Sequence, residues 1–145
     1  MQRGFTALKF DPAGPYSIYS GHQISSKALE RSENFCRKIR DAVGNYCDLL
    51  FGTHRQMTPA STIRLAKRLK PYDPLWFEEP VPPGQPEAMA RVAAKTSIPI
   101  ATGERLTTKY EFQELLNKAS SSIYFANEPK PSRRHFGSQK NCNFS

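Results

Sequence analysis

At 145 residues the chain has room for one modest domain, and 38% hydrophobic residues with a mean hydropathy of −0.61 suit a limited core in water. No apolar run approaches the roughly 18 residues of a membrane helix, and MQRGFTALKF lacks the apolar region and cleavage site of a signal peptide. Three cysteines, Cys36, Cys47 and Cys142, are odd in number and form no CxxC pair, so they predict reduced thiols in the cytoplasm, and the lack of a membrane-length apolar run predicts no membrane partner. The net charge is +8, but residues 1–117 hold 16 basic against 12 acidic residues. The rest of the excess lies from Lys118 onward, where Lys118, Lys130, Arg133, Arg134 and Lys140 face one acid, Glu128. A tail-weighted charge argues against a nucleic-acid-binding domain.

In chain order, FTALKF (residues 5–10) predicts a short strand, followed by a Gly-, Pro- and Ser-rich loop that includes His22, which reads as a surface residue. A helix is expected from about Ser26 to Val43, with Leu29, Cys36, Ile39 and Val43 on one face and Gly44–Asn45 as its stop. YCDLLF is the second strand, and Thr58–Pro59 supplies an N-cap and first turn for a helix that turns Ile63, Ala66 and Leu69 inward. PLWF is the third strand, with a helix beginning at Pro86. IPIA is the fourth, with KYEFQELLNK as its helix.

Strands alternating with helices imply an α/β fold with a parallel sheet. The candidates are an open doubly wound sheet and a (β/α)8 barrel of TIM type. No GxGxxG or phosphate-loop motif opens a helix, and the distinctive polar residues all follow strands. Lys9 and Asp11 follow the first strand, His54 the second, Glu78 the third and Glu104 the fourth. A barrel would gather them on one face, so a partial barrel of about four βα units is expected, over residues 1–117. Four units fall short of the roughly 250 residues of a complete barrel.

The stretch PLWFEEPVPP ends a strand on two acids. Burying a carboxylate is costly unless it is paired, so Glu78 and Glu79 either mark the strand's exit into solvent or hold a cation. Glu78 and Glu104, 26 residues apart, are two hard oxygen ligands that suit Mg2+. Adjacent strand residues face opposite ways, so Glu79 reads as a capping acid. His54 is a candidate general acid or base or a surface loop residue. Lys9 is a candidate for steering an anion or moving a proton, or a lysine reaching solvent, and its i, i+2 spacing puts Asp11 on the same strand face.

With LKFD, WFEEPVPP and IPIATGERL in this order, residues 4–117 resemble the enolase superfamily, in its mandelate racemase and muconate lactonizing branch, with acid-sugar dehydratases of the galactonate dehydratase type most similar. The resemblance implies an Mg2+ enzyme whose ligands include Glu78 and Glu104. It also implies His54 as the general acid of a dehydratase, and a small-molecule acid-sugar substrate. The chemistry implied is removal of the proton next to a carboxylate, then β-elimination of water. Intact members are expected to be homo-oligomers, and their base lies on a later strand. Two positions depart from the family. The third acid, 26 residues before Glu78, is Gly52 here, and Asp11 stands where a second lysine is usual. Asp11 is therefore a candidate replacement metal ligand.

From residue 118 to 145 no strand or helix period is evident, which predicts a disordered basic tail or a frameshifted one. Shifting one base in a back-translation of PSRRHFGSQKNCN gives RVGGILEAKKIA, similar to what family members carry after their next strand. Met1 stands just before a barrel strand, so the expectation is an interior fragment without the capping domain and the last barrel strands. Three functions follow: a dehydratase, with racemase or cycloisomerase as alternatives; an inactive remnant; or a basic module contacting phosphates through Arg133 and Arg134.

Overall fold

The computed structural model describes residues 4–14, 23–54, 56–118 and 123–125, the last three by backbone alone. Five strands, β1 (Ala7–Phe10), β2 (Asp48–Gly52), β3 (Pro74–Glu78), β4 (Ile100–Thr102) and β5 (Ile123–Phe125), form one sheet in sequential order. Every neighbouring pair is parallel. Between them run α1 (Ser26–Val43), α2 (Pro59–Leu69), α3 (Pro86–Ala93) and α4 (Lys109–Lys118), each touching the next. A doubly wound sheet reverses its strand order and splits its helices between two faces. Sequential order with one row of helices is the plan of a (β/α)8 barrel, of which this is a part.

Local chemistry accounts for the helix ends. Ser25 Oγ accepts from Ala28 N at the start of α1, and Thr58 Oγ1 accepts from Ser61 N ahead of Pro59 in α2. Thr108 and Glu111 form a reciprocal capping box at α4, where Glu111 N donates to Thr108 Oγ1 and Thr108 N donates to Glu111 Oε2. Arg40 fastens the end of α1 to two strand approaches, donating to the carbonyls of Gly44, Cys47, Tyr72 and Asp73.

The pleat separates two faces. Phe10, Phe51 and Phe77 are stacked edge to face across β1, β2 and β3, with ring centroids 5.3 and 6.0 Å apart. With Leu49 and Ile100 they meet Leu29 and Cys36 of α1, Leu65, Ala66 and Leu69 of α2, and Met89 and Val92 of α3 in one core. The opposite face carries Lys9, Leu50, Gly52, Trp76 and Glu78, related by the same register.

Three differences from the sequence reading stand out. Ile63 is only half-buried, whereas Ser61, Thr62 and Leu65 of the same helix are buried. Ser61 accepts from Ile24 N and Thr62 donates to the Pro80 carbonyl, so hydroxyls tie loops to the core where periodicity looked for aliphatics. Second, β5 pairs with β4 within the stretch that showed no strand pattern. Three residues are too short for a period to declare itself. Third, β1 stops at Phe10, so Asp11 lies beyond the strand and the alternation relating it to Lys9 no longer applies. His22, Cys142 and residues 126–145, with Arg133 and Arg134, lie outside the described residues.

Candidate active site

The polar residues singled out by sequence lie at the C-terminal ends of four consecutive strands, Lys9 and Glu78 within β1 and β3 and Asp11, His54 and Glu104 just beyond β1, β2 and β4. Their grouping is more particular. Lys9 on β1 reaches across β2 to Glu78 on β3, with Nζ 2.7 Å from Oε1. The other Glu78 oxygen accepts from Trp76 Nε1 at 3.3 Å, the i, i+2 neighbour on the same face of β3. The Glu78 side chain is only 9% exposed, whereas that of Lys9 is 55% exposed. The carboxylate is thus buried and paired, and the ammonium stands toward solvent.

Asp11 and His54 form a second pair, with Nδ1 and Oδ2 3.4 Å apart. Asp11 Oδ1 accepts from Ala13 N at 2.8 Å, which fixes the carboxylate. His54 takes a left-handed backbone conformation, φ 53°, and its side chain is largely exposed. Such a conformation is uncommon for a residue with a side chain. With Nδ1 on Asp11, Nε2 is the ring nitrogen not taken up by that contact.

Glu79 does something different. It leaves β3 with φ 44° and is buried, at 3% exposure. Its Oε1 accepts from Gly103 N at 2.8 Å, Glu104 N at 3.1 Å and Thr102 Oγ1 at 3.1 Å. Thr53 Oγ1 lies 3.3 Å from the carbonyls of both Glu78 and Glu79. Glu79 therefore clamps the loop that presents Glu104, which is exposed. Sequence reasoning had Glu79 as a capping acid and did not foresee that it positions a site loop. Trp76, Thr53 and Thr102 were missed, since none is distinctive in sequence.

The carboxylates that the resemblance assigns to Mg2+ are not gathered into one ligand set. Both oxygens of Glu78 are engaged by Lys9 and Trp76, and both of Asp11 by Ala13 and His54. At Gly52, level with Glu78 on β2, a Cβ would lie 3.0 Å from Lys9 Cε, so the lysine stem fills that space. Among the described residues no group of three or more His, Cys, Asp or Glu side chains is placed to hold a metal ion. Mg2+ favours several hard oxygens, and an ammonium already sits against the most buried of them. These donors do not fit the metal.

A parallel sheet in sequential order with acids, a lysine and a histidine at its C-terminal strand ends has the arrangement of the TIM-type barrels, in which sites are built at that end of the strands. Residues 1–127 match the enolase C-terminal domain-like family, and the chain belongs to it. Within the enolase superfamily it falls in the mandelate racemase/muconate lactonizing branch. A protein of that group from Burkholderia SAR-1 superposes with a TM-score of 0.78 at 70% identity, over 85% of this chain and 30% of that one. A mandelate racemase/muconate lactonizing enzyme-like protein from Roseovarius sp. TM1035 gives 0.77 at 54% identity, over 86% and 32%. The D-gluconate dehydratase of Thermoproteus tenax is 39% identical over 114 residues, 79% of this chain and 22% of the relative. The D-galactonate dehydratase of Klebsiella pneumoniae is 34% identical over 118 residues, 81% and 30%. The chain thus spans less than a third of the length of these relatives. Among the described residues no helix is long and apolar enough to cross a membrane.

Proposed function

We propose that this chain carries part of a sugar-acid dehydratase site, which holds a small polyhydroxy carboxylate at the strand ends and protonates its departing β-hydroxyl through His54. The observation that supports this most directly is the Asp11–His54 contact at 3.4 Å, with Asp11 two residues along the chain from the half-exposed Lys9. An imidazole that can donate a proton and a cation that attracts a carboxylate thus both lie at the C-terminal ends of neighbouring strands. Relatives named for dehydration of gluconate, xylonate and galactonate supply the substrate class.

In this reading the substrate carboxylate docks on the Lys9 ammonium, which keeps one hydrogen bond to Glu78. A base, which the resemblance locates on a later strand, takes the proton from C2. The electron pair forms the C2=C3 bond as the C3–O bond breaks, and His54 delivers a proton to the leaving hydroxyl, which departs as water. The enol left behind becomes a 2-oxo-3-deoxy acid. Asp11 holds Nδ1, so Nε2 is the atom that gives up the proton.

The test is to mix the chain with D-galactonate, D-gluconate and D-xylonate, observing binding by ligand-detected NMR and the 2-oxo-3-deoxy product by its colour reaction. Sugar acids are expected to bind this chain where neutral sugars do not, and in a full-length protein that carries this segment together with the later-strand base, His54→Asn is expected to lower product formation by about 10²- to 10⁴-fold with binding retained. Neither binding nor product would overturn the proposal. A second reading, a member without catalysis of its own, is favoured by the poor fit to a metal. In the full-length protein, product formation no higher than that of His54→Asn would support it over the first.

A further inference from the structure

We infer that Gly52 and Lys9 together form a built-in cation centre, in which the lysine ammonium occupies the place beside Glu78 that a divalent metal ion would need. Lys9 and Glu78 stand on β1 and β3, with β2 between them. Neighbouring strands lie about 4.8 Å apart, so the lysine must extend over the middle strand to make its 2.7 Å contact. Its path passes Gly52. A Cβ at that position would lie 3.0 Å from Cε and 4.0 Å from Cγ of Lys9.

Gly52 is not among the glycines with positive φ, so its backbone does not call for glycine. Room for the lysine stem is the requirement that the geometry shows. Any larger residue at 52, a carboxylate included, competes with Lys9 for the same space. The lysine–glutamate pair and an acid at position 52 are therefore alternatives, and this chain has taken the first. The charge arithmetic agrees, since one ammonium neutralises the buried Glu78 and a divalent ion must first displace it. With its side chain 55% exposed, Lys9 also leaves donors facing the site, able to meet an anion directly. The inference rests on the geometry of the strand ends and not on the identity of the substrate.

Binding of Mn2+, followed by its paramagnetic resonance signal, and of Mg2+ by calorimetry, tests this on the full chain without any sugar acid. The chain as it stands is expected to show no saturable binding into the millimolar range. Gly52→Asp, which displaces Lys9 and adds an oxygen ligand, is expected to raise affinity at least about tenfold. Lys9→Met, which frees Glu78, is expected to raise it less. Gly52→Leu adds no ligand and changes no charge, yet its side chain takes the space of the lysine stem, whose Cε a Cβ alone would meet at 3.0 Å; it is expected to push Lys9 off Glu78 and speed acylation of its amine several-fold, read by mass spectrometry. Saturable Mn2+ binding by the unaltered chain, with equal affinity in Lys9→Met, would overturn the inference. So would a Gly52→Leu chain whose Lys9 labels at the original rate.

Discussion

The two faces of the sheet are built from the same strands and obey different rules. The helix-facing side is dry and aromatic: Phe51 and Phe77 are fully buried and are held by packing alone. The other side places a buried carboxylate, Glu78, among a lysine, a glycine and a tryptophan, and it is held by directed contacts. The first face is indifferent to which large apolar residue fills it, provided volume is kept. The second depends on one atom more or less, as the missing Cβ at Gly52 shows. Packing holds the first face and directed contacts hold the second, so mutations on the two should differ in kind.

The largest effect should come from the aromatic face. Phe77→Ala removes a fully buried ring and is expected to cost about 3–5 kcal/mol, read as a lower denaturation midpoint in urea. Next is the loop clamp: Glu79→Ala strips three donors of their shared acceptor and should cost about 2–3 kcal/mol. A Glu79 variant with unchanged stability would remove the clamp from the account. His54→Asn belongs at the small end, under about 0.5 kcal/mol, because the side chain is largely exposed. If it proved as costly as Glu79→Ala, His54 would be a structural residue and the division between faces would fail.

Cys36 sharpens the comparison without a mutation. It lies in the dry core, and burial pushes its thiol from an ordinary 9.0 up to about 12. At pH 8 its alkylation should be roughly a thousandfold slower than that of an exposed thiol, the thiolate being rarer by that factor. The sign for stability follows. The raised value favours the protonated folded state, so this contribution is complete below pH 9 and is lost as pH rises toward 12. Alkylation of Cys36 at an ordinary rate would show that the core opens readily.

The helix-facing half of this architecture was legible in the sequence because burial writes a period. Leu29 and Cys36 mark the inner face of α1, and Thr58–Pro59 and Pro86 mark where helices begin. The positions of Lys9, His54, Glu78 and Glu104 after successive strands were legible too, because a strand followed by a loop followed by a helix fixes where a strand ends. Their pairing was not. That Lys9 meets Glu78 while Asp11 meets His54 depends on β1 ending one residue before Asp11 and on the empty volume at Gly52. Neither leaves a trace in composition or period. The clamp by Glu79 was hidden for a related reason, since a positive φ at a glutamate is a property of the turn and not of the residue.

The most direct test of the account is a double-mutant cycle on Lys9 and Glu78, with Lys9→Met, Glu78→Gln and the double variant unfolded in urea. The account predicts a coupling of at least about 1 kcal/mol, with Lys9→Met alone costing more than it does when Glu78 is already neutral. Additive single effects would contradict it, because the lysine would then cross β2 without holding the buried carboxylate.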